Sequence, residues 1–483
     1  MKRVGEPSAP VSADTADRRW TMRQRLALSV VVLASSLLAV DLTVVTIALP
    51  TIGADFASND LATLEWIMVA YALLFGSLVQ PAGALSDRIG GRRMFLIGMT
   101  MLVAGSIGCA LSPNIWVLLG FRGFQGLSAA IMFATMIPLL ARSFDRSQRP
   151  MAIAIWTATS SIAGILGPMV GGGLVELGGW RWLFWINVPL GVAAAALAAR
   201  VLEPDPPPER GTRFDWGGAI LLAISVASLS YTFTLAHTRS WTDPAVLATI
   251  AVAVLGFAAF RTWIGARSAP VLDTALLRNP PFVGVALLAI INRVATFGST
   301  IYFMLYLHDG RGYTAFESAI LLVPLGIAGM AGAILGGRIQ GRVPSWLVLV
   351  AGNGVLACTA AVYVWQLSEL HDPLWLMPAL AAWGFGNSLA NVPIMKIATE
   401  SVPATQVGMA TGLVNSFFPL GGSLGTVVLG VVFDSVASDH VGGASPEDLG
   451  DAAGAVYVVV ALCCLVGVII AATLARSRPQ VPG

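Results

Sequence analysis

Stretches of about twenty apolar residues recur from Leu26 almost to the C-terminus, separated by short polar turns. Each is long enough to cross the ~30 Å hydrocarbon core of a bilayer as a helix. Lipid offers the backbone no hydrogen-bond partners, so a run of this kind satisfies its own amides by coiling. Composition agrees: 56% of the residues are hydrophobic and 11% charged, where soluble domains carry roughly a quarter charged. The 483 residues therefore predict an all-α polytopic membrane protein rather than a set of soluble domains.

Walking the chain places spans at 26–50, 65–84, 94–112, 115–140, 151–175, 183–201, 216–236, 245–263, 282–306, 316–337, 346–366, 374–395, 407–433 and 453–475. That count of fourteen puts both termini on one side. The first run is too long for a signal-peptide core and lacks a small-residue cleavage pattern, so it reads as a retained span. Of the 28 Lys and Arg residues, only Arg181, Arg239 and Arg311 fall in outer segments, and Arg122 and Arg293 lie within spans. Such asymmetry is the positive-inside rule, and it predicts cytoplasmic termini in the cell membrane. Cys109, Cys358, Cys463 and Cys464 sit in apolar runs without metal-type spacing, and the four histidines scatter over outer loops. Neither set suggests a disulfide framework or a metal site.

Two proline-rich breaks, "EPDPPPERGTRFD" (Glu203 to Asp215) and "SAPVLDTALLRNPPF" (Ser268 to Phe282), isolate one pair of spans. The expected plan is an N-terminal tail (1–25), a six-helix bundle (26–201), a two-helix insert (216–263), a second six-helix bundle (282–475) and a C-terminal tail (476–483). The halves echo each other. "GPMVGGGL" in the fifth span is answered by "FPLGGSLG" in the thirteenth, and "GALSDRIGGRR" after the second by "GGRIQGRVP" after the tenth. Internal repeats typify secondary transporters, whose substrate sites lie between the repeats near the midplane.

Four stretches resemble the major facilitator superfamily, in particular its fourteen-span drug:proton antiporters. "GALSDRIGGRR" is similar to the loop signature between the second and third spans, through Gly83, Asp87, Arg88, Gly90, Arg92 and Arg93. "RGFQGLSAA" resembles the fourth-span signature, through Arg122, Gln125 and Gly126. "GILGPMVGGGL" resembles the antiporter motif of the fifth span, through Gly164, Gly167, Pro168, Gly171 and Gly172. "VDLTVVTIALP" resembles the first-span motif, through Asp41, Thr43, Ala48, Leu49 and Pro50, with Thr46 where the family usually has asparagine. The resemblance implies two six-helix bundles with a central insert, and export driven by proton exchange.

The residue chemistry gives each motif a task. Asp41 lies ~21 Å along the first helix at 1.5 Å per residue, where a carboxylate costs ~2.5–3.5 kcal/mol to insert and is usually functional. A carboxyl that takes up and releases a proton at that depth is what proton coupling needs. Arg122 enters to a similar depth, ~10 Å from the outer face against ~13 Å for Asp41, so the two can pair. Asp87 can meet either a helix N-terminus or an arginine of a neighbouring span, a latch that holds the halves in one conformation. Arg88, Arg92 and Arg93 would by themselves serve only topology. The glycines of the fifth span bare one helix face, predicting tight packing against the other half. Gln125, Tyr71, Trp156, Asn292 and Arg293 are candidate cavity residues, with Trp66, Phe75 and Phe303 as further aromatics. Such walls suit flat hydrophobic molecules, cationic ones included through the ring faces.

These readings converge on a proton-coupled antiporter that exports hydrophobic drugs or antibiotics. The alternative in the same fold exports one endogenous metabolite, such as a self-made antibiotic. An intramembrane enzyme or an ATP-driven pump lacks its residues: there is no HExxH, no span histidine to serve a serine and no nucleotide-binding loop. Expected partners are small hydrophobic substrates, protons and membrane lipid, without nucleic acid, cofactor or metal, and the chain is expected to act as a monomer.

Overall fold

The computed structural model describes residues 20–56, 61–145, 147–205, 214–265, 271–273, 275–313, 315–368, 373–403, 406–437 and 445–476. Most of the N-terminal tail and of the C-terminal tail therefore lies outside the described residues. The helical rods in chain order are α1 (Met22–Asp55), α2 (Leu61–Ile89), α3 (Gly91–Ala110), α4 (Ile115–Ser143), α5 (Arg149–Gly178) and α6 (Trp182–Val201). Then come α7 (Trp216–Thr238), α8 (Pro244–Ile264), α9 (Pro280–Gly310) and α10 (Ala315–Ile339). The chain closes with α11 (Ser345–Ser368), α12 (Met377–Glu400), α13 (Val407–Val436) and α14 (Pro446–Thr473). Among the described residues, twelve helices are long and apolar enough to cross a membrane, and α5 and α12 are not among these twelve. The architecture is all-helical, and apolar length alone accounts for twelve of the fourteen expected spans.

Local chemistry sets the ends. Thr21 and Gln24 form a capping box at the start of α1, Asn114 caps α4, and Ser445 with Asp448 boxes α14. Asp243 caps α8 ahead of Pro244 at the first helical position, where proline's missing N–H costs nothing. Two rods are interrupted. α6 breaks at Ile186, between Trp182–Trp185 and Asn187–Val201. α9 widens into π turns over Val294–Gly298 and Tyr306–Gly310, a distortion that concentrates at functional sites.

The packing repeats. In the first half α2 lies on α4, α1 on α5, α3 on α4, and α6 on α3 and α1. In the second half α10 lies on α12, α9 on α13, α11 on α12, and α14 on α11 and α9. Each of these pairings in the first half thus recurs eight rods later. The halves meet along two seams, α2 against α13 and α5 against α10. α7 packs on α8 and lies across the first seam, touching both α2 and α13. Trp66, expected in a central cavity, instead stacks on Tyr231 of α7 with ring centroids 5.2 Å apart. Phe303 is a core residue, packed on Tyr363 at 5.9 Å.

Candidate functional site

Asp41 and Arg122 form a buried ion pair. The Arg122 Nη1 donates to Asp41 Oδ2 at 2.7 Å, and both side chains are 1% exposed. The same nitrogen donates to Gln125 Oε1 at 3.0 Å, and Nε donates to the Ile67 carbonyl at 3.2 Å. The guanidinium lies 4.4 Å over the Tyr71 ring. Asn187 Nδ2 donates to the other carboxylate oxygen of Asp41 at 3.2 Å. Ser106 accepts from Gln125 Nε2 at 2.9 Å, extending the network to α3. Gly126 makes this assembly possible: a Cβ there would stand 2.4 Å from the Tyr71 carbonyl oxygen, so only glycine lets α4 sit this close to α2.

Gln125 and Tyr71, read from sequence as cavity walls, are therefore partners of the ion pair and buried with it. Trp156 ends an aromatic row that runs from Tyr71 through Phe75 and Phe133, with centroids 5.5–6.2 Å apart. Its Nε1 is buried and meets no hydrogen-bond acceptor among the described residues. Asn187 is the residue that sequence reading missed. Its signal was available, since an amide two residues before Pro189 in an otherwise apolar run is rare in lipid for the same reason as Asp41.

The loop signature joins the halves at the end of the molecule that gathers Arg88, Arg92, Arg93 and Arg142. Asp87 accepts from the backbone amides of Gly408 and Met409, each at 2.8 Å. These are the first orphan N–H groups of α13, so the carboxylate caps a helix of the opposite half and meets its positive dipole end. A Cβ on Gly83 would fall 2.3 Å from the Gly408 carbonyl oxygen, and one on Gly412 would fall 3.1 Å from that of Val79. The other seam closes at the same end, where a Cβ on Gly337 would meet Ala154, Pro150 and Met151.

Gly90 and the arginines have a separate anchor. Gly90 has φ +108, a conformation other residues rarely adopt. Asp205, in the break after α6, accepts from the amides of Arg92 and Arg93 at 3.0 and 2.8 Å and from Arg142 Nη1 at 2.8 Å. It caps α3 as Asp87 caps α13. Nothing local in the sequence marks Asp205, because its partners lie 63 to 113 residues away along the chain.

The fifth-span motif differs from its expectation. Gly171 packs on Val44 of α1, where a Cβ would come within 1.9 Å of the Val44 side chain. Gly164 and Gly172 have open space beside them. Gly167 is buried, and the side chains of Pro168, Thr43, Thr46 and Pro50 lie outside the described residues. Among the motif glycines, Gly171 thus tightens α5 on α1 within its own half. Contact with the other half falls to Ala154 and Ala158 earlier on α5, against Ala333 and Val392. The physical reason is spacing: α5 meets α10 through a different stretch of its length, near the arginine-rich end.

Asn292 and Arg293 lie apart from the ion pair. With Asn391 and Asn415 they line a small cavity of about 10 Å³ between α9, α12 and α13. At the opposite end of the molecule, Asp55 pairs with Arg181 at 2.6 Å beside an open cavity of about 480 Å³. Hydrogen bonds, from Arg181 first and then Trp180, hold the Asp55 carboxyl below its ordinary range.

A family model described as the Major Facilitator Superfamily matches residues 31–426. The chain belongs to that superfamily. Among its relatives, multidrug resistance protein Stp of Mycobacterium tuberculosis is 32% identical over 395 residues, covering 81% of this chain and 72% of that protein. The tetracenomycin C resistance and export protein of Streptomyces glaucescens is 33% identical over 408 residues, covering 83% and 74%. The methylenomycin A resistance protein of Streptomyces coelicolor is 30% identical over 403 residues, covering 83% and 84%. The crystal structure of the human organic anion transporter MFSD10 (TETRAN) superposes with a TM-score of 0.67 over 93% of this chain and 99% of that one. At 15% identity that likeness is one of fold alone. This chain is a multi-pass membrane protein of the transporter class.

Proposed function

We propose that the protein exports hydrophobic drugs or antibiotics in exchange for protons, with Asp41 as the proton carrier. The observation that carries this reading is the buried Asp41–Arg122 pair in a chain whose relatives are named for drug and antibiotic resistance. When Asp41 is ionised the pair is closed and its charges cancel. When Asp41 takes a proton, Arg122 loses its counter-charge, and leaving one charge of a buried pair alone costs about 3–5 kcal/mol. That cost is large enough to drive α1 and α4 into a different arrangement. The latch of Asp87 on α13 then sets which arrangement is favoured between proton events.

In this reading 26–201 and 282–475 are two bundles that rock about a cavity, and 216–263 is an insert over one seam. The arginine-rich end faces the cytoplasm, which makes the present arrangement closed to the inside. Gln125, Tyr71, Trp156, Asn292 and Arg293 border the path of the substrate, the first two through the ion pair. A dedicated exporter of one metabolite is the second reading, favoured by two relatives that are each named for a single antibiotic. A susceptibility panel in a pump-deficient host tests both. Raised tolerance to several unrelated hydrophobic compounds on expression supports the first reading, tolerance to one compound the second, and no change for any compound contradicts both.

A further inference from the structure

Each of the two segments of α6 touches one member of the buried ion pair. Pro189 has no amide to give the Trp185 carbonyl and its ring crowds that group, so the helix breaks at Ile186, between Trp182–Trp185 and Asn187–Val201. On the outer side of the break, the Phe184 ring lies 5.9 Å from the Arg122 guanidinium. On the inner side, Asn187 Nδ2 donates to Asp41 Oδ1 at 3.2 Å. Asn187 is 2% exposed, and the buried face it shares with Gly191, Ala194, Ala198 and Val201 is otherwise apolar. Trp180 and Arg181, directly before the outer segment, line the open cavity at the outer end. The stretch 180–187 therefore joins that cavity to the ion pair.

The donors around Asp41 fit one protonation state. An ionised carboxylate only accepts, and both of its oxygens are met by N–H groups, Oδ2 by Arg122 and Oδ1 by Asn187. Arg122 keeps its charge, so a proton arriving from water adds to Oδ1 and forms an O–H that points at the Asn187 N–H. Two donors then face each other. Asn187 resolves this by turning its amide over, so that its oxygen accepts, or by withdrawing. Either movement is made at the residue next to the helix break. The other ionisable side chains around Asp41 are Arg122 of α4, Tyr71 of α2 and Cys109 of α3. α5 over 150–175 and α6 over 182–199 carry none.

From this geometry we infer that Asn187 is a positioning residue that reads the protonation of Asp41 and passes it, through the break in α6, to the outer cavity. The inference rests on the reading of Asp41 as proton carrier. The ionised carboxylate holds Asn187, and with it Trp182–Trp185, in the arrangement seen. The protonated carboxyl releases that hold and at the same moment removes the counter-charge of Arg122, against which Phe184 packs. One proton thus acts on both segments of α6.

Infrared difference spectra of the purified full chain across a pH titration read the carboxyl C=O stretch of Asp41, assigned by its loss in Asp41→Asn. Asn187→Leu keeps the volume but removes the donor to the charged form, so the band should titrate about one to two pH units higher than in the parent. Asn187→Gln, which keeps an amide on a longer stem, should fall between, and it carries the test if the leucine variant folds poorly. A merely structural residue would not move this midpoint. Hydrogen exchange over 182–190 gives a second reading. In Asp41→Asn the new amide, its oxygen held by Arg122, turns an N–H toward Asn187 as the protonated carboxyl turns its O–H. Exchange there should rise about fivefold or more, and in the Asn187→Leu background the same change should add little. An unchanged midpoint in the Asn187 variants overturns the inference, as does an equal response of 182–190 to Asp41→Asn with and without Asn187, or the lack of any band that Asp41→Asn removes. If both readings follow Asn187 while Asp41→Asn still concentrates drug in vesicles, the role of Asn187 stands and the proton-carrier reading fails.

Discussion

Arg122 spends its donors on three different elements: Asp41 of α1, the Ile67 carbonyl of α2 and Gln125 of its own helix. Arg122→Lys keeps the charge but offers a single ammonium in place of the planar fork, so it cannot hold all three. It should keep the protein folded and lower transport. Arg122→Ala leaves Asp41 buried without its counter-charge and should destabilise by about 3–5 kcal/mol, read as a lower thermal midpoint in detergent. A midpoint within 1–2 °C of the parent would mean that the pair is not buried as described. The residues of this pair were legible because lipid makes a mid-span charge expensive, which isolates Asp41 and Arg122 against their surroundings. Which neighbours complete the shell was not legible, since Tyr71, Ser106 and Asn187 reach it through packing that no local pattern encodes.

At the scale of helices, two carboxylates cap helices from far along the chain, and the two differ in what they join. Asp87 ties α2 to α13 across the halves, whereas Asp205 ties the break after α6 to α3 within one half. Asp87→Asn removes the charge from two short backbone bonds and should shift the balance of arrangements by about 1–2 kcal/mol, a factor of roughly 5–30. Distances between spin labels on α2 and α13 should then broaden toward longer values, while a distribution identical to the parent's would leave this stretch a purely topological role. Gly90→Ala strains a positive-φ turn and collides with Asp205, so it should lower thermal stability without altering the distance between the halves. The glycine at 90 and the aspartate at 87 could be read in advance as a turn and a latch. That Gly171 of the fifth span packs on α1 could not, because a bare helix face does not say which neighbour fills it.

At the scale of the whole molecule, the recurrence of the main helix pairings eight rods later gives the faint sequence echoes a structural meaning. The echoes were legible at the fifth and thirteenth rods because close packing demands glycine at both. Orientation is separately testable: single cysteines at Thr242 or Asp309 should react with an impermeant reagent outside intact cells, and those at Ser86 or Gln148 should not, whereas outside labelling at 86 would invert the direction of transport. The central claim is that Asp41 carries the coupled proton, and the most direct measurement is uptake of a fluorescent hydrophobic drug into inverted vesicles under an imposed pH gradient. Parent protein should concentrate the drug, Asp41→Glu should do so partially, and Asp41→Asn at matched expression should not concentrate it at all. Concentration by Asp41→Asn equal to that of the parent would contradict the account.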